Sequence, residues 1–329
     1  PPPPPPFPTT TLFRSPRYSN HRVTLLAGGV GGARMARALR SVVDPGFLTV
    51  VVNVGDDTER YGVHVSPDPD TVMYTLAGEV GEAGWGRAED TFVVMDELSA
   101  CGFDTTFRLG DKDLALCLAR SAMIADGASL SEVTSAFAER FGLDDVDLKP
   151  ATDETLRTWI QTDTGEWIDF QEYFVVRRHA DPIAGLAFHG APDALPSPGV
   201  VEAIDGCDTL VVAPSNPPLS IWPILAIDGI RSAVERHERT VAVSPLFGGS
   251  PLKGPADTVM RGLGLPPGNR GVLAAYDGLL EMLFIDGADA ADAELGEEFG
   301  VEIVPTDTRL TPIDRGAALA SLMLEAGST

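Results

Sequence analysis

Residues 23–43 read VTLLAGGVGGARMARALRSVV. A short apolar run with a β-branched start gives way to Gly28, Gly29, Gly31 and Gly32, then to a helix-length stretch. This order predicts strand, glycine-rich turn, helix. A second apolar run at 48–54, LTVVVNV, predicts the next strand. Strands alternating with helix-length segments imply βαβ units. The expected fold class is α/β, a Rossmann-like, mostly parallel sheet with a smaller inserted α+β region.

Working outward, PDPDTVMYTLAGEV is expected to begin a helix near Asp70, and EDTFVVMDELSACG another, closed by Gly102. Asp111 is expected to cap KDLALCLARSAMIADG, with Asp113 beside it. Ser129 and Glu132 have capping-box spacing ahead of a helix that should end at Gly142. The period then changes. TLRTWIQ, a TDTGE turn and WIDFQEYFVV predict a β-hairpin, and IAGLAFHG a third strand. The α/β rhythm resumes at 208–218 and 239–257 and continues through LEMLFI and VEIVP. The organisation read from this is a disordered proline-rich extension at 1–22, a nucleotide-binding core at 23–142 and 198–329, and an insert at 143–197.

The 329 residues are 44% apolar, which is globular composition. Forty-eight acidic and 24 basic side chains leave a formal charge of −24, which repels nucleic acid and anionic membranes. An anionic ligand then needs local positive potential. Three scattered cysteines without CxxC argue against a disulfide scaffold or a cysteine-rich zinc site, and a reducing cytoplasm is expected. No run approaches the length of a membrane span.

In a parallel sheet, ligands sit beyond the carboxyl ends of the strands. Four segments qualify: 27–34, 53–70, 213–218 and 244–254. In the first, bare amides at a helix N-terminus suit phosphate, and Arg34 adds a cation; the alternative is a tight turn without ligand. Gly29 and Gly31 fit a GxGxxG pattern, but Arg34 takes the third position. In the second, Asp56, Asp57, Asp68 and Asp70 crowd one loop around Gly62. Clustered carboxylates with little His and no Cys suit Mg²⁺ or Ca²⁺, against the alternative of a solvated acidic loop. In APSNPP, Ser215 and Asn216 offer groups for a base or sugar edge. In SPLFGGSPLKGPAD, Lys253 follows a second glycine-rich loop. Tyr61, Trp85 and Phe107 suit a pocket for a ring system or simple core packing, and His64 a loop or stacking role.

Taken together, TLLAGGVGGAR, VVNVGDD, PDPDTVMYTLAG, LGDKDLA, APSNPPLSI and PLKGPAD, in this order, resemble the 2-phospho-L-lactate transferase family, whose actinobacterial members are described as phosphoenolpyruvate transferases. The resemblance runs from about residue 23 to the C-terminus. It implies coenzyme F-420 biosynthesis: a guanosine-diphosphate-linked lactyl or enolpyruvyl donor, attack by the ribityl hydroxyl of 7,8-didemethyl-8-hydroxy-5-deazariboflavin, and release of GMP. It implies Mg²⁺ and a homodimer. By resemblance, Asp56 with one or both of Asp68 and Asp70 would hold metal, and Asp57 would orient or deprotonate the hydroxyl. Gly29, Gly31, Gly32, Arg34, Asn53, Ser215, Asn216 and Lys253 would bind the donor. The rival expectations are an NAD(P)-dependent oxidoreductase and a non-catalytic nucleotide-sugar-binding regulator.

Overall fold

The computed structural model describes residues 18–252 and 254–326. Seven parallel strands form one sheet: β1 (Val23–Ala27), β2 (Leu48–Val52), β3 (Val146–Pro150), β4 (Thr209–Val212), β5 (Thr240–Val243), β6 (Met282–Asp286) and β7 (Glu302–Thr306). Their order is β7-β6-β5-β4-β1-β2-β3, the doubly wound arrangement of dinucleotide-binding folds. The sequence expectation of a Rossmann-like sheet holds.

β1 is buried along its whole length, as a central parallel strand covered on both faces must be. Its side chains alternate between two cores. Leu25 and Ala27 join Val50 and Val52 on one face, while Leu26 and Val51 join Leu210 and Val212 on the other. The first face is covered by α1 (Gly29–Val42) and the C-terminal helix Ile313–Glu325. Between β2 and β3 the chain forms α2 (Pro67–Ala77), α3 (Val93–Ala100), α4 (Asp111–Ala125) and α5 (Leu130–Arg140). Among the described residues no helix is long and apolar enough to cross a membrane.

Several boundaries differ from the sequence reading. Val146–Pro150, read there as part of the insert, pairs in parallel with β2 as the edge of the main sheet. Being an edge, it alternates buried and solvent-facing positions and lacks the continuous apolar run of its neighbours. The smaller sheet starts at Arg157: Arg157–Thr162 lies between Trp167–Asp169 and Ile183–His189, all antiparallel. The hairpin's second strand stops at Asp169, and Glu172–Val176 is a helical turn. The helix expected near Asp70 begins at Pro67, because proline costs nothing in a first turn, where the amide has no helical partner. Asp111 caps a different helix from the one expected. Its carboxylate accepts the Val93 and Val94 amides of α3 at 3.0 Å each, while Asp90 accepts the Lys112 and Asp113 amides of α4. The Ser129–Glu132 capping box forms as expected. Residues 1–17 of the proline-rich extension lie outside the described residues. Tyr18 is described: it bridges to Val43, and its hydroxyl donates to the Ser321 carbonyl at 3.0 Å.

Candidate active site

The chain leaves β1 toward β2 on one side and returns to β4 on the other. Carboxyl-terminal loops therefore diverge at this point and open a crevice. The glycine turn lies at this carboxyl edge, between β1 and α1. Gly29 has φ +60 and opens α1. A Cβ on Gly31 would lie 2.2 Å from the Pro214 carbonyl oxygen, and one on Gly28 2.9 Å from Asp68 Oδ2. The three loops after β1, β2 and β4 thus touch one another. Gly32 sits against Ala27, with an added Cβ 3.0 Å from that side chain, so it serves the close helix–strand packing of the third position in the dinucleotide fingerprint.

Asp56 and Asp68 meet at this crevice, 5% and 6% exposed. Asp56 Oδ1 is buried without a hydrogen-bond partner among the described residues. Burial first, then the charge of Asp68, push the Asp56 carboxyl well above its ordinary value. Burial lifts Asp68 to about 6, opposed by hydrogen bonds from Asn53 and the Gly29 amide. Asn53 is fully buried and spends both side-chain groups internally: Nδ2 donates to Asp68 Oδ2 at 3.0 Å, and Oδ1 accepts the Gly55 amide at 2.8 Å. It is placed as a brace for the acids, not as a free contact for substrate. Asp57 accepts from Ser66 Oγ at 2.9 Å and bonds His64 Nε2 at 2.7 Å.

Asp70 turns away from this group. Residues two apart on a helix point to nearly opposite sides, and α2 already includes both Asp68 and Asp70. Asp70 instead pairs with the buried Arg120. Burial pushes its carboxyl up, to about 7, against the pull of that guanidinium. Its oxygens also lie near Asp113 and Cys117, but Arg120 already supplies the neighbouring cation. The structure therefore brings together two of the three expected metal ligands.

Ser215 is buried and its hydroxyl donates to the Gly28 carbonyl at 2.7 Å, so it braces the glycine turn. Asn216 caps the following turn through Oδ1, leaving its buried Nδ2 unpartnered among the described residues. Arg34 is half-buried without an ion-pair or hydrogen-bond partner among the described residues; burial first, then Arg37, push its pKa down. Lys253 lies outside the described residues. Trp85 is 57% exposed, whereas Tyr61 and Phe107 pack around Val63, Val65 and Leu109. Sequence reasoning missed Gln171, which reaches from the small sheet to donate to the Asp56 carbonyl at 2.7 Å. A contact 115 residues away leaves no local pattern.

These acids predict a pH response of the ion-free protein. Asp68 and Asp70 have folded pKa values raised to about 6 and about 7, against about 4 in an unfolded chain. Their contribution is fully present below about pH 4 and is lost as pH rises through about 6 to 7. Thermal melts in EDTA should give a Tm at least about 5 °C higher at pH 5 than at pH 8. Asp68→Asn should flatten this slope, which separates it from general relief of the −24 charge. A Tm with the same pH slope in parent and variant would contradict it.

A glycine turn and two buried acids at the switch point of a seven-stranded parallel sheet define a protein of the doubly wound α/β class. The family model for 2-phospho-L-lactate transferase CofD matches residues 23–309, and the chain belongs to that family of transferases. It is 40% identical over 311 residues to phosphoenolpyruvate transferase of Streptomyces griseus, covering 92% of this chain and 98% of the relative. It is 39% identical over 294 residues to 2-phospho-L-lactate transferase of Methanopyrus kandleri, covering 88% and 92%. A crystal structure of a UPF0052 family member from Bacillus halodurans shares the fold, with a TM-score of 0.66 at 16% identity over 93% of this chain and 100% of that one.

Proposed function

We propose that the protein transfers a phospholactyl or phosphoenolpyruvyl group from a guanosine-diphosphate-linked donor to the ribityl hydroxyl of 7,8-didemethyl-8-hydroxy-5-deazariboflavin, releasing GMP, as a step of coenzyme F-420 biosynthesis. The observation that carries this reading is Asp56 Oδ1, without a hydrogen-bond partner among the described residues, on a carboxylate beside Asp68, whose Oδ2 faces Gly28 of the glycine turn. Two buried carboxylates with, among the described residues, a free oxygen and no cationic partner fit a hard divalent ion. Asp56 and Asp68 would hold Mg²⁺, which when bound neutralises charge developing on the diphosphate. The Gly29 amide is spent on Asp68, so the Gly31 amide and Arg34, without an ion-pair partner among the described residues, supply the positive potential that a −24 protein needs to seat the donor. Asn216 Nδ2 is the free donor for the nucleoside. Asp57 receives the proton of the attacking hydroxyl, and the partly exposed His64 ring, 2.7 Å away, passes it to water. A homodimer belongs to the same proposal, and light scattering at twice the chain mass tests it.

The rival oxidoreductase needs a single free acid for a ribose. Asp56 is instead buried against a second carboxylate. The deciding assay combines purified protein, the deazaflavin acceptor, Mg²⁺ and each guanosine donor, read by mass spectrometry. The expected products are the phosphodiester and GMP, lost on adding EDTA. Hydride transfer with NAD(P)H, or donor binding without any turnover, would instead support the oxidoreductase or the regulator. Comparing the two donors tells the lactyl from the enolpyruvyl enzyme.

A further inference from the structure

The helix opened by LGDKDLA takes no part in the proposed chemistry, yet α4 drives a polar stripe into the interior. Asp113, Cys117 and Arg120 are spaced i, i+4, i+7 and share one face. Arg120 is 2% exposed. One guanidinium nitrogen bonds Asp70, another donates to the His64 carbonyl at 3.2 Å, and the group lies over the Phe137 ring, 5.8 Å from its centre. Ser121, the next residue, accepts the His64 amide at 2.7 Å. Both backbone polar groups of His64 therefore end on α4. Two turns before Arg120, Asp113 accepts the Tyr74 hydroxyl of α2 at 2.7 Å.

A buried ion pair is a poor source of stability, since an apolar pair of similar volume does as well or better. What it supplies here is geometry. Asp70 is two residues from Asp68 on α2. The His64 ring bonds Asp57. Arg120 touches both segments at once, and a guanidinium fork does this with fixed angles that an ammonium lacks.

We propose that Arg120 is a positioning residue that locks α2 to the antiparallel pair Thr58–Arg60 and Val63–Val65 and so sets the placement of Asp68 relative to the Asp57–His64 pair. The inference rests on the transfer reading above. Its test compares the parent with Arg120→Lys and with the paired variant D70N/R120M, which removes both buried charges together. Calorimetry measures GDP affinity in EDTA and in Mg²⁺, and steady-state assays give kcat and KM.

GDP affinity in EDTA should stay within about twofold of the parent, because the contacts Arg120 makes among the described residues are to Asp70, the His64 carbonyl, Cys117 and Phe137 rather than to the glycine turn. The gain in GDP affinity on adding Mg²⁺ should shrink by about fivefold or more, and kcat should fall by about tenfold or more with donor KM within about threefold. Parental kcat and parental Mg²⁺ gain in Arg120→Lys would overturn the inference, whatever the paired variant does. So would equal weakening of GDP affinity with and without Mg²⁺, which marks a merely structural role. A parent that shows Mg²⁺-enhanced GDP binding but forms no product would sink the transfer reading while leaving this comparison readable from binding alone.

Discussion

Replacing Asp56 by Asn should lower kcat by about a thousandfold or more while the protein stays folded. Metal-assisted neutralisation of a phosphoryl group is worth several kcal/mol, and each ~1.4 kcal/mol is a tenfold change in rate. Asn keeps the shape but removes the charge that would bind Mg²⁺. The same change should raise the Tm in EDTA at pH 8. Burial and Asp68 both oppose ionisation of Asp56, so the ionised carboxylate costs stability above its unfolded pKa and the neutral amide does not. Loss of activity with a raised ion-free Tm is the expected pair of results. An Asp56→Asn enzyme with parental turnover would reject the metal reading outright.

The second large effect is expected from Gly31→Ala. The new methyl would stand 2.2 Å from the Pro214 carbonyl oxygen, far inside van der Waals contact. Backbone cannot yield as a flexible side chain does, so α1 must move away from the loop after β4. Overpacking of this kind costs about 1–3 kcal/mol, and the shift separates the amide donors from Asn216. Donor affinity should fall by about a hundredfold, as read by calorimetry with GDP. Gly29→Ala provides the contrast: nothing lies within 4 Å of an added Cβ, and only the φ of +60 is strained. Its loss should be the smaller of the two. Equal tolerance at both positions would mean that the crevice is not shaped by this contact.

The features legible in the chain alone were those with local causes. Apolar runs at 23–27 and 48–52 are central parallel strands because both of their faces are buried. The glycine turn announces itself because a tight strand-to-helix junction excludes Cβ. The Ser129–Glu132 box closes within four residues. From these and the order of motifs, the α/β fold, the family and the carboxyl-edge location of the candidate site follow.

What the chain alone left open was decided by long-range packing. The two prolines at 67 and 69 look like loop residues until the helix they begin is seen. That single boundary turns Asp70 away from Asp68 and toward Arg120, 50 residues distant. Asn53, Ser215 and Gln171 carry groups that look free in the sequence, and each is spent on a neighbour brought close only by folding. Residue type and spacing located the acids and glycines after apolar runs, and the expected parallel topology put them at one edge of the sheet. Only the tertiary structure decided which oxygen remains without a partner among the described residues, because a hydrogen bond or a buried charge depends on what the rest of the chain places within about 3 Å.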